Sequence, residues 1–148
     1  MSEYTWPDAM NLTVKNKIGI GTTNPEAELH VLGKLLGAAQ DTSGNSLRIC
    51  CGKTPEGSTN WQPYDSTPQG IYVDVDTSAC GFKSTPYYIV NLHGNSSHWI
   101  VTGGSAPYFA TAKGFRIYLR FIYDRNLTPD FANHNDQKWH IQWLAIGN

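Results

Sequence analysis

A chain of 148 residues, 40% apolar and 12% aromatic, has room for one core and a short arm but not for two independent domains. Its charged fraction of 16% and formal net charge of -1 leave no basic stripe for nucleic acid or anionic lipid, and no run approaches the ~20 apolar residues of a membrane span. The expected partners are neutral or mildly polar.

In chain order, Met1 to Pro7 lacks a basic region followed by an apolar run, so no export signal is expected. Ile18 and Ile20 alternate with glycines as a short strand, Thr22-Thr23-Asn24-Pro25 breaks it, and Leu29 and Val31 resume. This reads as a stem and trimerisation segment over residues 1–36, with a head over 37–148. Leu35 to Asp41 has the makings of a helical turn. Leu47 to Cys51 is a candidate strand. Ile71, Val73 and Val75 alternate with Tyr72, Asp74 and Asp76, Tyr88 to Leu92 continues the pattern, and Phe115, Ile117, Leu119 and Phe121 alternate with Arg116, Tyr118 and Arg120. Phe131 to Asn135 could turn once as a helix. Trp139, Ile141, Trp143 and Ala145 then share one face of a closing strand. Clusters such as Ser66-Thr67-Pro68-Gln69-Gly70 and Gly103-Gly104-Ser105-Ala106-Pro107 punctuate these runs. The class is all-β, an antiparallel β-sandwich.

Cys50 and Cys51 point to opposite faces of a strand, so at most one of them reaches Cys80. Reduced packing residues are the expectation, with one disulfide as the alternative. No metal is expected, because a metal wants more ligands at closer spacing. No catalytic residues are assigned. Ser96, Ser97, His98 and Asp124 supply the residue types of a hydrolytic triad without a G-x-S-x-G turn. Asp74 and Asp76 lie ~7 Å apart on one strand face, a spacing that acidic residues on a solvated strand share with glycosidase pairs. Loop aromatics are the better lead: Trp61, Tyr64, Trp99, Tyr108 and Tyr123, although Trp99, Trp139 and Trp143 are read as packing residues. Arg116, Tyr118 and Arg120 on one strand, with His140 and Gln142 on its expected neighbour, would give a polar face able to stack around a three-fold axis.

The run Gly19-Ile20-Gly21-Thr22 with Pro25 and Leu29-His30-Val31 resembles the GIGT-x-x-P-x-x-x-LHV signature near the ends of bacteriophage tail fibres and related adhesins, in which three chains wind into a β-rich stem. Gly114-Phe115-Arg116 and the closing Trp139 to Gly147 resemble the strand pattern of H-type lectins. Asp76 to Phe82, with His98-Trp99 and Gly114-Phe115-Arg116, is similar to a head module at the ends of fibre-like proteins. These resemblances imply a six- to seven-stranded H-type-lectin-like sandwich, a homotrimer, and a sugar ligand held without a cofactor. Carried over position by position, the lectin loop falls on Ile122 and Tyr123, with tyrosine where the family has histidine. Candidate sugar contacts are Tyr123, Asp124, Arg125, Asn126 and His134 in the loop from Ile122 to Lys138, with Tyr64 and Asp65. Candidate trimer contacts are Ile18, Ile20, Leu29 and Val31 in the stem and Arg116, Tyr118, Arg120 and Gln142 in the head. The implied role is a receptor-binding tip outside the cell, on a phage tail or phage-like particle, made in the cytoplasm and joined to an upstream fibre or baseplate protein. The alternative is a purely structural trimerisation cap with no external ligand.

Overall fold

The computed structural model describes residues 16–32 and 40–148, which fall in two units, Met1–Leu36 and Gly37–Asn148. In the first, β1 (Ile18–Ile20) and β2 (Leu29–Val31) pair in parallel, Ile18 opposite Leu29 and Ile20 opposite Val31. Parallel strands ordinarily need a crossover of a dozen or more residues. Here the chain turns back sooner. Gly21 takes a φ of +76°, and a Cβ there would stand 3.0 Å from the Leu32 carbonyl oxygen. The Asn24 N–H donates to Thr22 Oγ1 at 3.1 Å, and the Glu26 N–H donates to His30 Nδ1 at 3.1 Å. Glycine, threonine and histidine of this segment therefore each shape the turn. Most of the Leu35 to Asp41 stretch lies outside the described residues.

The second unit runs β3 (Arg48–Lys53), β4 (Gln62–Tyr64), β5 (Gly70–Asp76), β6 (Tyr87–His93), β7 (Val101–Thr102), β8 (Tyr108–Thr111), β9 (Gly114–Phe121), α1 (Pro129–Asn133) and β10 (His140–Gly147). Its strands form two antiparallel sheets, one ordered β3-β10-β6 and the other β4-β5-β9-β7 with β8 also paired to β9. The alternation read from the sequence sets the faces. Ile71, Val73 and Val75 of β5 and Phe115, Ile117, Leu119 and Phe121 of β9 are buried against Val90 of β6 and Ile141 of β10, one core between two sheets. Tyr88 and Phe115 meet across it with ring centroids 4.6 Å apart.

Three of the head's strands carry no strand signal in the sequence. β4 contains Pro63, β7 has two residues, and all four residues of β8 are exposed, so none of them shows a period of two.

The closing strand is not the neighbour of β9. The segment from Ile122 to Lys138 buries Leu127 and Ala132 completely and holds α1, started by Thr128, whose Oγ1 accepts from the Phe131 N–H. A connection of this length passes from one sheet to the other instead of closing a hairpin. The shared face expected of Arg116, Tyr118, Arg120 and Gln142 therefore does not form: the first three stand on the outer face of one sheet and Gln142 on the outer face of the other.

The cysteine expectation is also corrected, since Cys50 is bonded to Cys80 and only Cys51 is free and exposed. Cys50 faces inward from β3, and Cys80 ends the turn after β5, so the bond joins the two sheets across a sequence separation of 30. A loop of that size contributes about 3–4 kcal/mol in the chain-entropy model. Arg48 Nη1 donates to the Cys80 carbonyl at 2.6 Å beside it. Two tryptophans exchange their expected roles. Trp61 is core, its Nε1 donating to the Trp139 carbonyl at 3.1 Å, whereas Trp99 is 76% exposed.

Candidate functional site

The outer face of the larger sheet is built in rows that the pairing register dictates. Tyr64, Gly70 and Arg120 form one row, Gln62, Tyr72 and Tyr118 the next, and Asp74, Arg116 and Tyr108 the third. Tyr118 is the hub. Its ring centroid lies 4.8 Å from that of Tyr64, 5.1 Å from Tyr108 and 5.9 Å from Tyr72, the first two edge to face.

One ion pair locks this arrangement. Arg116 Nε and Nη2 each donate at 2.7 Å to the two carboxylate oxygens of Asp74, and the guanidinium lies 4.1 Å from the Tyr72 ring centroid. The fork from Arg116 holds the Asp74 carboxyl below its ordinary range, and the same hydrogen bonds, followed by that with Tyr118, raise the guanidinium above its own. Asp74 is thus committed to a structural pair. Asp76 accepts from the Ser78 N–H at 2.8 Å and caps a turn.

Because Gly70 has no side chain, its row leaves a gap between Tyr64 and Arg120. That gap is a hollow of about 260 Å³ walled by Tyr64, Tyr108, Tyr118 and Arg120, with Gly70 and Gly103 in its floor and Ser66 and Thr102 at its edge. Neither glycine is replaceable in this backbone. A Cβ on Gly70 would stand 2.7 Å from the Leu119 carbonyl oxygen, and Gly103 has a φ of +101°. A second, more polar hollow of about 540 Å³ is lined by Pro63, Asp65, Ser66, Thr67, Gln69 and Asn126, so the two share Ser66. Ser66 Oγ donates to the Pro68 carbonyl and accepts from the Gly70 N–H, fixing the wall between them.

The residues singled out in sequence as sugar contacts are divided by this geometry. Tyr64 walls the aromatic hollow. Asp65 and Asn126 both line the polar one, where Asn126 Oδ1 accepts from the Gln69 N–H at 2.9 Å. Tyr123, Asp124 and Arg125 stand exposed on the bend after β9 and line neither hollow. Arg125 leans on the Phe121 ring at 5.9 Å instead. His134 sits beyond α1, its Nδ1 accepting from the Asp136 N–H at 3.3 Å. Tyr72 and Tyr108 complete the site. Their alternation or loop placement is visible in sequence, but the register that gathers them around Tyr118 is not.

Of the hydrolytic residue types, Ser96 Oγ donates to the Asp136 carbonyl and His98 packs on Trp139 at 6.4 Å between centroids. Among the described residues no three His, Cys, Asp or Glu side chains gather as metal ligands, and no helix is long and apolar enough to cross a membrane. The chain matches no protein-family model, no curated protein and no solved structure.

Proposed function

We propose that the protein is the receptor-binding tip of a fibre-like appendage, a homotrimer that recognises a surface carbohydrate in the paired hollows of its larger sheet. The observation that carries this reading is the juxtaposition of unlike surfaces. The rings of Tyr64 and Tyr108 offer apolar faces to the C–H face of a pyranose, while Arg120, Thr102 and Ser66 offer donors and acceptors to its hydroxyl rim. The adjoining hollow, with Asp65 and Asn126, suits a second sugar unit. The likeness of the closing strands to H-type lectins agrees with such a ligand, and the stem motif agrees with a three-chain fibre on an extracellular particle, attached to an upstream fibre or baseplate protein. The exposed Ile20 and Leu29 of the stem, 54% and 53%, gain cover when chains wind together.

A glycan-array screen of the full chain beside Tyr64→Ala/Tyr108→Ala tests the reading. Two lost ring contacts are worth about 1–3 kcal/mol, so binding should weaken roughly 10- to 100-fold. Melting should fall by several degrees while the chain stays folded, since each ring also packs on Tyr118, a contact worth about 0.5–1.5 kcal/mol, and neither belongs to the buried core. A wild-type chain that binds no glycan would favour the structural cap, and a variant that binds as well as wild type would exclude the aromatic hollow.

A further inference from the structure

The smaller sheet also has an outer face, and it is apolar. Along the central strand β10, Ile146 lies between Ile49 and Tyr87, Leu144 between Cys51 and Ile89, and Gln142 between Lys53 and Asn91. Ile49, Tyr87 and Ile89 are 65%, 78% and 55% exposed in the single chain, so two successive rows present large apolar side chains to water. The third row carries two amides and one charge, and that charge is already met by Glu56, whose carboxylate lies 2.6 Å from Lys53 Nζ.

We infer that this face is where copies of the chain meet one another, an inference resting on the trimer proposed above and placing its head interface on the smaller sheet. The occupant follows from charge and symmetry. In the proposed trimer the strands of this sheet run along the three-fold axis, so that each row meets its own copies and must be compatible with itself. Apolar rows are. An amide row is as well, because Asn91 and Gln142 each donate and accept, and no unpaired charge of one sign is brought together. On the other sheet's outer face Asp74 is met by Arg116, but Arg120 and Asp76 make no ion pair among the described residues, so their rows lack this self-compatibility. An anionic lipid surface is a poor fit, since the face offers no cluster of free cations.

Cys51, the one free thiol, stands on this face in the row of Leu144 and Ile89, on the edge strand β3, and reports on it. The experiment combines sedimentation equilibrium of the full chain with the rate at which Cys51 reacts with a neutral disulfide reagent, for wild type, Ile49→Glu/Ile89→Glu and the control Ile122→Glu. Ile122 is 54% exposed and follows β9 in the other sheet. Carboxylates beside a thiol slow it by raising its pKa, so a faster reaction in the double variant reports exposure alone. The expected result is a wild-type trimer whose Cys51 reacts about tenfold more slowly than in the double variant, as befits a thiol withdrawn from solvent, with the control like wild type. The stem keeps this readout meaningful even where it holds the variant chains together. A wild-type monomer overturns both the trimer and this face. A wild-type trimer whose Cys51 reacts as fast as the variant's overturns the face alone, and neither outcome bears on glycan binding.

Discussion

Asp74 and Arg116 set the posture of the aromatic face, and their pair is separable from the core. The Asp74 carboxyl lies below its ordinary 3.8 because Arg116 donates two hydrogen bonds to it. A carboxyl lowered on folding adds stability that is complete above its unfolded value and is lost as the pH falls through the folded one. The side chain is 63% exposed, so after solvent screening the gain is roughly 0–1 kcal/mol. Asp74→Asn is therefore expected to melt slightly below wild type at pH 7 and to converge with it as the pH drops below the carboxylate range. Melting curves followed across that range check the sign. A gap that widens toward acid would mean that the carboxylate is not paired in the folded chain.

At the scale of elements, the segment between β9 and β10 is a packed crossover in place of the free recognition loop that its polar residues suggest. Leu127 and Ala132 have no exposure, the Leu127 N–H donates to the Gln69 carbonyl at 2.9 Å, and the Phe131 ring bridges Phe121 and Trp139. Leu127→Ala should cost about 2–5 kcal/mol, as a fully buried leucine does. Urea unfolding measures it, and a loss well under 1 kcal/mol would show the segment detached from the core. The same segment explains what could be read from sequence. β5 and β9 announce themselves, because each alternates apolar and polar residues over its length, and β6 and β10 do so over half of theirs, from Val90 to His93 and from His140 to Trp143. The inward Cys50 and outward Cys51 follow from the same period, which leaves one of them able to reach Cys80. Sheet membership does not follow, because it depends on where a long connection lands. The polar face expected of Arg116 and Gln142 fails for that reason, since the crossover puts a whole core between their strands. The aromatic hollow is hidden for a related cause. Its residues come from β4, β5, β7, β8 and β9, and three of those strands lack any period of their own.

For the whole molecule, the proposed functions divide between the two outer faces: an aromatic, charged one with hollows for a ligand, and an apolar, self-compatible one for assembly. A chain exposing both could use either as an interface, so the division is the central claim. Hydroxyl-radical footprinting of the assembled full chain, read by mass spectrometry at individual tyrosines, tests it in one measurement. Tyr87, at 78% the more exposed in the single chain, is expected to be strongly protected, while Tyr64 and Tyr108, at 45% and 48%, keep the reactivity of free surface residues until a bound glycan shields them. Protection of Tyr64 and Tyr108 in the assembly without ligand, with Tyr87 left reactive, would contradict the account by making the aromatic face the interface and leaving no site for a sugar.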